Sequence, residues 1–131
     1  MIAIVCLDDR EGMMFQHRRV SSDRTVIAKV EELCQNRTLW IHPCSQGLFA
    51  FPVQMDEAFL SKAAQGDFCF VENQSLKPYE DSIESLIIFW WNRKYPADVH
   101  LGLDLKEWKR IATEEFAGYS HEKITKEVYQ R

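Results

Sequence analysis

Short apolar runs, each closed by charged or turn-forming residues, recur along this chain. Residues 2–7 (Ile-Ala-Ile-Val-Cys-Leu) are apolar at every position, and Asp8, Asp9, Arg10, Glu11 and Gly12 follow at once. A strand apolar on both faces suits the middle of a parallel sheet. Residues 13–22 are polar and basic and read as a loop. Ser21 or Ser22 then caps a helix, with Asp23 favourable near its positive end. Val26, Ile27, Val30, Leu33 and Cys34 recur at helical spacing, and the helix should end near Asn36.

Residues 38–42 (Thr-Leu-Trp-Ile-His) form a second strand, stopped by Pro43. Ser45 to Phe49 reads as a helical turn, and Phe51 and Val53 as a brief extended piece. Asp56 is placed as the N-cap of a helix carrying Phe59, Leu60, Ala63 and Ala64, with Gly66 as its C-cap. Residues 67–71 (Asp-Phe-Cys-Phe-Val) are the third strand. Strand, helix, strand, helix, strand implies parallel pairing. Residues 83–91 are a further strand, at the centre of a sheet or against a partner. Residues 99–103 are a short extended piece, and 108–116 and 124–129 are two strands around a turn at Gly118. The fold class is therefore α/β: a mixed, mostly parallel sheet with flanking helices and a C-terminal antiparallel hairpin, in one domain over residues 1–131.

Composition adds limits. The 131 residues contain 46% hydrophobic and 27% charged positions, ordinary globular usage. The formal net charge is −4, which argues against general nucleic-acid binding. No apolar stretch approaches the roughly 18–20 residues that span a bilayer, and the first strand has no basic flank or cleavage signal. Cys6, Cys34, Cys44 and Cys69 are scattered without Cys-x-x-Cys or zinc spacing, so all four read as reduced thiols and the chain as cytoplasmic. No metal site is expected.

In open α/β sheets ligands bind beyond the carboxyl ends of the parallel strands. That rule marks residues 8–23, residues 42–45, and Glu72 with Asn73. In the first, His17, Arg18 and Arg19 are consecutive, flanked by Arg10 and Arg24. Arginine grips phosphate or carboxylate with two parallel bonds, so the segment reads as an anion site, or as a solvated loop pairing with Asp8, Asp9 and Glu11. Asp23 is either a general acid or base or a helix-dipole residue. Ser45 either meets a phosphate or caps a turn. His42 with Cys44 lacks a third ligand and reads as a strand end and a packed thiol. Trp90 and Trp91 point to opposite faces of one strand. An exposed indole there would suit a homodimer interface or a stacking pocket.

The order of elements resembles the dihydrofolate reductase fold. Residues 2–9 with Gly12-Met13 look like that family's first strand and following mobile loop. Ser22-Asp23 looks like the stretch carrying its catalytic carboxylate, and Leu39-Trp-Ile-His42 before Ser45 like the second strand and a cofactor-phosphate turn. The segment 108–131 looks like its closing hairpin. The family's Gly-Arg-x-Thr pattern is replaced by His42-Pro-Cys-Ser45, and its second glycine-rich turn has no counterpart. The resemblance implies NADPH as cofactor and Asp23 as proton donor. The sequence is also similar to a group of short bacterial proteins sometimes labelled ribonuclease Z, through Asp8-Asp9, Arg18-Arg19, residues 70–73, 91–96 and 116–125. That activity requires a His-x-His-x-Asp-His two-zinc site, a pattern missing here. Three readings follow: a reductase-like domain that binds a small anionic ligand or protein partner through His17, Arg18, Arg19, Asp23 and Ser45 without catalysis; an NADPH-dependent oxidoreductase; and a module dimerising through the Trp90–Trp91 strand.

Overall fold

The computed structural model describes all 131 residues. Ten strands and two helices follow in order: β1 Ile2–Leu7, β2 Gly12–Phe15, β3 Arg18–Arg19, α1 Arg24–Leu33, β4 Leu39–Ile41, β5 Gln54–Met55, α2 Phe59–Lys62, β6 Phe68–Phe70, β7 Ser85–Trp90, β8 Val99–His100, β9 Lys109–Phe116 and β10 Ile124–Gln130. Seven strands form one sheet in the order β5-β4-β6-β1-β7-β10-β9. The first five run parallel, and β10 and β9 close the sheet in antiparallel fashion. This is the mixed, mostly parallel α/β architecture that the alternation of runs predicts. No helix is long and apolar enough to cross a membrane.

The period-2 geometry of a strand divides β1 between two cores. Ala3, Val5 and Leu7 join Leu86, Ile88, Cys69 and Phe59 on one face. Ile4 joins Ile87, Phe89, Phe70, Trp91 and the Val26–Val30 stripe of α1 on the other. A strand wetted on neither face must be apolar throughout, which is why residues 2–7 and 86–91 read as unbroken runs.

Several local expectations are corrected. Residues 13–22 are only in part a loop, since 13–15 and 18–19 are strand. Gln16 and His17 both adopt positive φ (49° and 65°) and turn β2 onto β3, with Phe15 opposite Arg18. Two successive left-handed residues match the twist of a hairpin. β8 pairs on the far side of β2, giving a second, three-stranded sheet. The first helix ends at Leu33, capped at Cys34, short of Asn36. The extended piece is at Gln54–Met55 rather than residues 51–53. Asp56 accepts from the Ala58 N–H and so stabilises the turn before α2, which starts at Phe59 and is a single turn long. β7 lies between β1 and β10. Trp91 is buried, and Trp90 is half-buried with its Nε1 donating to Glu127 at 2.6 Å.

Candidate functional site

The carboxyl ends of β1, β4, β6 and β7 carry three polar clusters. Asp8 follows β1 directly and is fully buried. Its carboxylate accepts from the N–H groups of Arg10 (2.9 Å), Gly12 (2.7 Å) and Tyr95 (3.0 Å). It thereby fastens the segment after β7 to the turn after β1. Gly12 has no room for a side chain: a Cβ would stand 2.5 Å from that of Ala97.

The second cluster joins two of the expected anion residues through a third. Ser45, fully buried in the turn after β4, donates to Glu72 Oε1 at 2.7 Å. Glu72, just beyond β6, also receives Arg19 Nε at 2.8 Å and Nη2 at 3.0 Å. That pair is the two-pronged arginine–carboxylate contact, and the Glu72 side chain is 8% exposed. The hydrogen bond to Glu72 raises the affinity of the Arg19 guanidinium for its proton. Arg19 and Ser45 do converge, but onto a carboxylate of the protein itself, so Arg19 is already neutralised. Arg18, one residue earlier, is not. It lines an open groove of about 410 Å³ with Phe15, Gln16, Arg19, Val20, Tyr95 and Pro96. His17 is exposed at the hairpin turn.

Asp23 belongs to the third cluster and does not join Arg19 or Ser45. It is the N-cap of α1, its Oδ1 accepting from Thr25 N at 2.9 Å. The turn between β9 and β10 supplies the rest: Tyr119 N (2.9 Å), Ser120 N (2.8 Å), Ser120 Oγ (3.2 Å) and His121 Nδ1 (2.9 Å). Burial alone would raise the Asp23 carboxyl; the Tyr119 N–H, the His121 ring and the Ser120 and Thr25 N–H groups outweigh it. They hold the group well below the usual carboxylate range. These donors favour the ionised carboxylate, which suits an accepting and positioning role. Gly118 lets the turn approach this closely, since a Cβ there would lie 2.7 Å from Asp23 Oδ2.

His121 was no candidate in the sequence, and it is the group that Asp23 orients. Its ring stacks on Trp91 at 4.6 Å between centroids, and its Nε2 lies 2.9 Å from Ser21 Oγ. With Asp23 ionised, Nδ1 carries the proton, so in the neutral ring Nε2 accepts and Ser21 donates. Tyr95 Oη lies 3.4 Å from both Ser21 Oγ and His121 Nε2. The signal missed was the Ser120-His121 pair two residues past Gly118, in the turn of a hairpin whose strands were expected.

Between the second and third clusters the sheet ends in packed material. Cys6, Asp23, Val26, Leu48, Phe70, Glu72 and Trp91 enclose about 10 Å³, at the lower limit for one water. Phe49 meets Phe70 edge-on at 5.1 Å just outside. Burial, then the nearby Glu72 charge, push the Cys6 thiol well above its ordinary range.

No protein-family model matches the chain, and no curated protein matches it. Among solved structures it is similar to dihydrofolate reductase from Enterococcus faecalis complexed with NADP(H) and RAB-propyl. The TM-score is 0.71 at 14% identity, covering 99% of this chain and 95% of that one. Likeness at that identity is a likeness of fold, and the chain is dihydrofolate reductase-like in fold.

Proposed function

We propose that this reductase-like fold binds a small anion-bearing ligand in the groove beside the β2–β3 hairpin, without hydride chemistry. The observation that carries the reading is the contrast between two adjacent arginines. Glu72 occupies Arg19, whereas no carboxylate pairs with Arg18, which borders the groove. A ligand phosphate or carboxylate would supply that missing partner, and the Phe15 and Tyr95 side chains offer apolar walls. His17 is exposed at the hairpin turn and does not line the groove, and Ser45 acts from behind by fixing Glu72.

The test is thermal unfolding with phosphate-bearing small molecules. A ligand at about 100 times its Kd stabilises by about 2.7 kcal/mol. The expected result is a rise in Tm for the wild type that Arg18→Ala abolishes. Equal responses from both proteins would refute the groove.

NADPH is a second reading, favoured by the fold neighbour solved with NADP(H). The residues here do not fit it. The crevice beyond β1, β6 and β7 is filled down to about 10 Å³, and Asp23 is saturated by the protein's own donors. No hydride step is derived. Quenching of protein fluorescence by micromolar NADPH would reinstate the oxidoreductase reading.

A further inference from the structure

We propose that Ser21 is a nucleophile, activated by His121 and positioned by Asp23, that takes the acyl group of a carboxylic ester. The inference stands apart from the anion groove and does not need a ligand there.

The chain of contacts is continuous. Asp23 Oδ2 to His121 Nδ1 is 2.9 Å, and His121 Nε2 to Ser21 Oγ is 2.9 Å. A serine hydroxyl is a poor nucleophile unless a base removes its proton as it attacks, and the base must be held in one tautomer. Asp23 meets that need: its side chain is fully buried, and the N–H groups of Thr25, Tyr119 and Ser120 keep it charged and still. The Trp91 face fixes the imidazole plane. Ser21 itself is half-buried rather than sealed, while Asp23 and His121 are covered. Ser21 borders the small space of about 10 Å³ beside Cys6 and Trp91, and the Tyr95 hydroxyl lies 3.4 Å from its Oγ. An imidazole needed only to anchor the hairpin would be satisfied by Asp23 and the Trp91 stack. Here its second nitrogen meets the hydroxyl of a residue that solvent reaches.

The step balances as follows. The Ser21 Oγ lone pair forms a bond to the ester carbonyl carbon while its proton passes to His121 Nε2. The carbon–oxygen bond to the alcohol then breaks, and the alcohol leaves with the proton from Nε2. A water oxygen then bonds to the acyl carbon while its proton passes to Nε2; the carbon–Oγ bond breaks, Oγ takes that proton back, and the acid leaves.

The experiment uses an uncharged fluorophosphonate, which an activated serine attacks at phosphorus with loss of fluoride. Mass spectrometry of the tryptic peptide spanning residues 20–24 reads the site. One adduct on Ser21 is expected, lost in Ser21→Ala and retained in Ser22→Ala. In His121→Gln labelling should slow by about 100-fold or more, the usual contribution of a positioned base. Circular dichroism checks that His121→Gln folds; if it does not, the Ser21→Ala and Ser22→Ala comparison decides. No adduct at millimolar probe, labelling that survives Ser21→Ala, or an undiminished rate in folded His121→Gln would overturn the proposal.

Discussion

Replacing Asp23 by alanine tests how far one carboxylate holds the two ends of the fold together. Three losses accompany the change. The α1 N-cap disappears, worth about 1 kcal/mol. The Tyr119 and Ser120 N–H groups lose their acceptor at 2.9 and 2.8 Å, and a half-buried unpaired donor costs about 1 kcal/mol. The His121 ring loses a bond to a charged group, typically about 1.5–3 kcal/mol. Together these come to about 4.5–6 kcal/mol, a large share of the roughly 5–15 kcal/mol that keeps a domain folded. Urea unfolding followed by tryptophan fluorescence should report it, because Trp91 stacks on His121. The folded-state affinity of Asp23 for a proton is depressed. Its stabilisation is therefore complete above its unfolded pKa of about 3.9 and fades as pH falls below that. The gap between wild type and Asp23→Ala should accordingly be full near neutrality and narrow in acid. A neutral-pH difference below about 1.5 kcal/mol would mean that water replaces the hairpin donors and only the cap matters.

Three further outcomes are expected. Arg19→Met should destabilise by about 2–3 kcal/mol by leaving Glu72 buried with only Ser45. Adding Glu72→Gln should recover most of that loss, and a double mutant no better than the single would contradict the pairing. Gly118→Ala should cost about 1–3 kcal/mol through overpacking, since its Cβ would meet both Asp23 and Ile124 at 2.7 Å; an unchanged urea midpoint would refute the close approach. Native protein should react with a thiol reagent at Cys44 alone. Cys44 is exposed, whereas burial lifts Cys34 and Cys69 to about 12, and rapid modification of either by peptide mapping would count against the packing.

The parallel core was legible because strands wetted on neither face leave unbroken apolar runs, and α1 because Val26 and Val30 repeat at helical spacing. The β2–β3 hairpin was hidden by its own turn. Gln16 and His17 take left-handed φ without a glycine or asparagine to announce it. Asp56 looked like the N-cap of a helix, but its carboxylate accepts from Ala58 N–H in the turn before α2, whose own N-cap is Ala58 and which ends at Lys62. For the site, the strand-end rule marked the segments of Arg19, Ser45 and Glu72 separately, but not that Glu72 takes up the other two. It gave no means of pairing Asp23 with His121, because that contact joins the N-terminus of α1 to a turn near the far end of the chain, a meeting set only by the folded sheet.

The position of β1 carries a cost in time. Ile2 faces Phe68 on one side and Ser85 on the other, so β1 gains its first neighbour in the sheet only once residues 68–70 are made and its second only after residue 85. Contacts of such long range slow the search for the native state and leave bare apolar edges exposed meanwhile. Refolding should therefore lag behind that of helical proteins of equal length, and a nascent chain halted before Ser85 would leave one edge of this wholly hydrophobic strand unpaired, the kind of segment that chaperones shield.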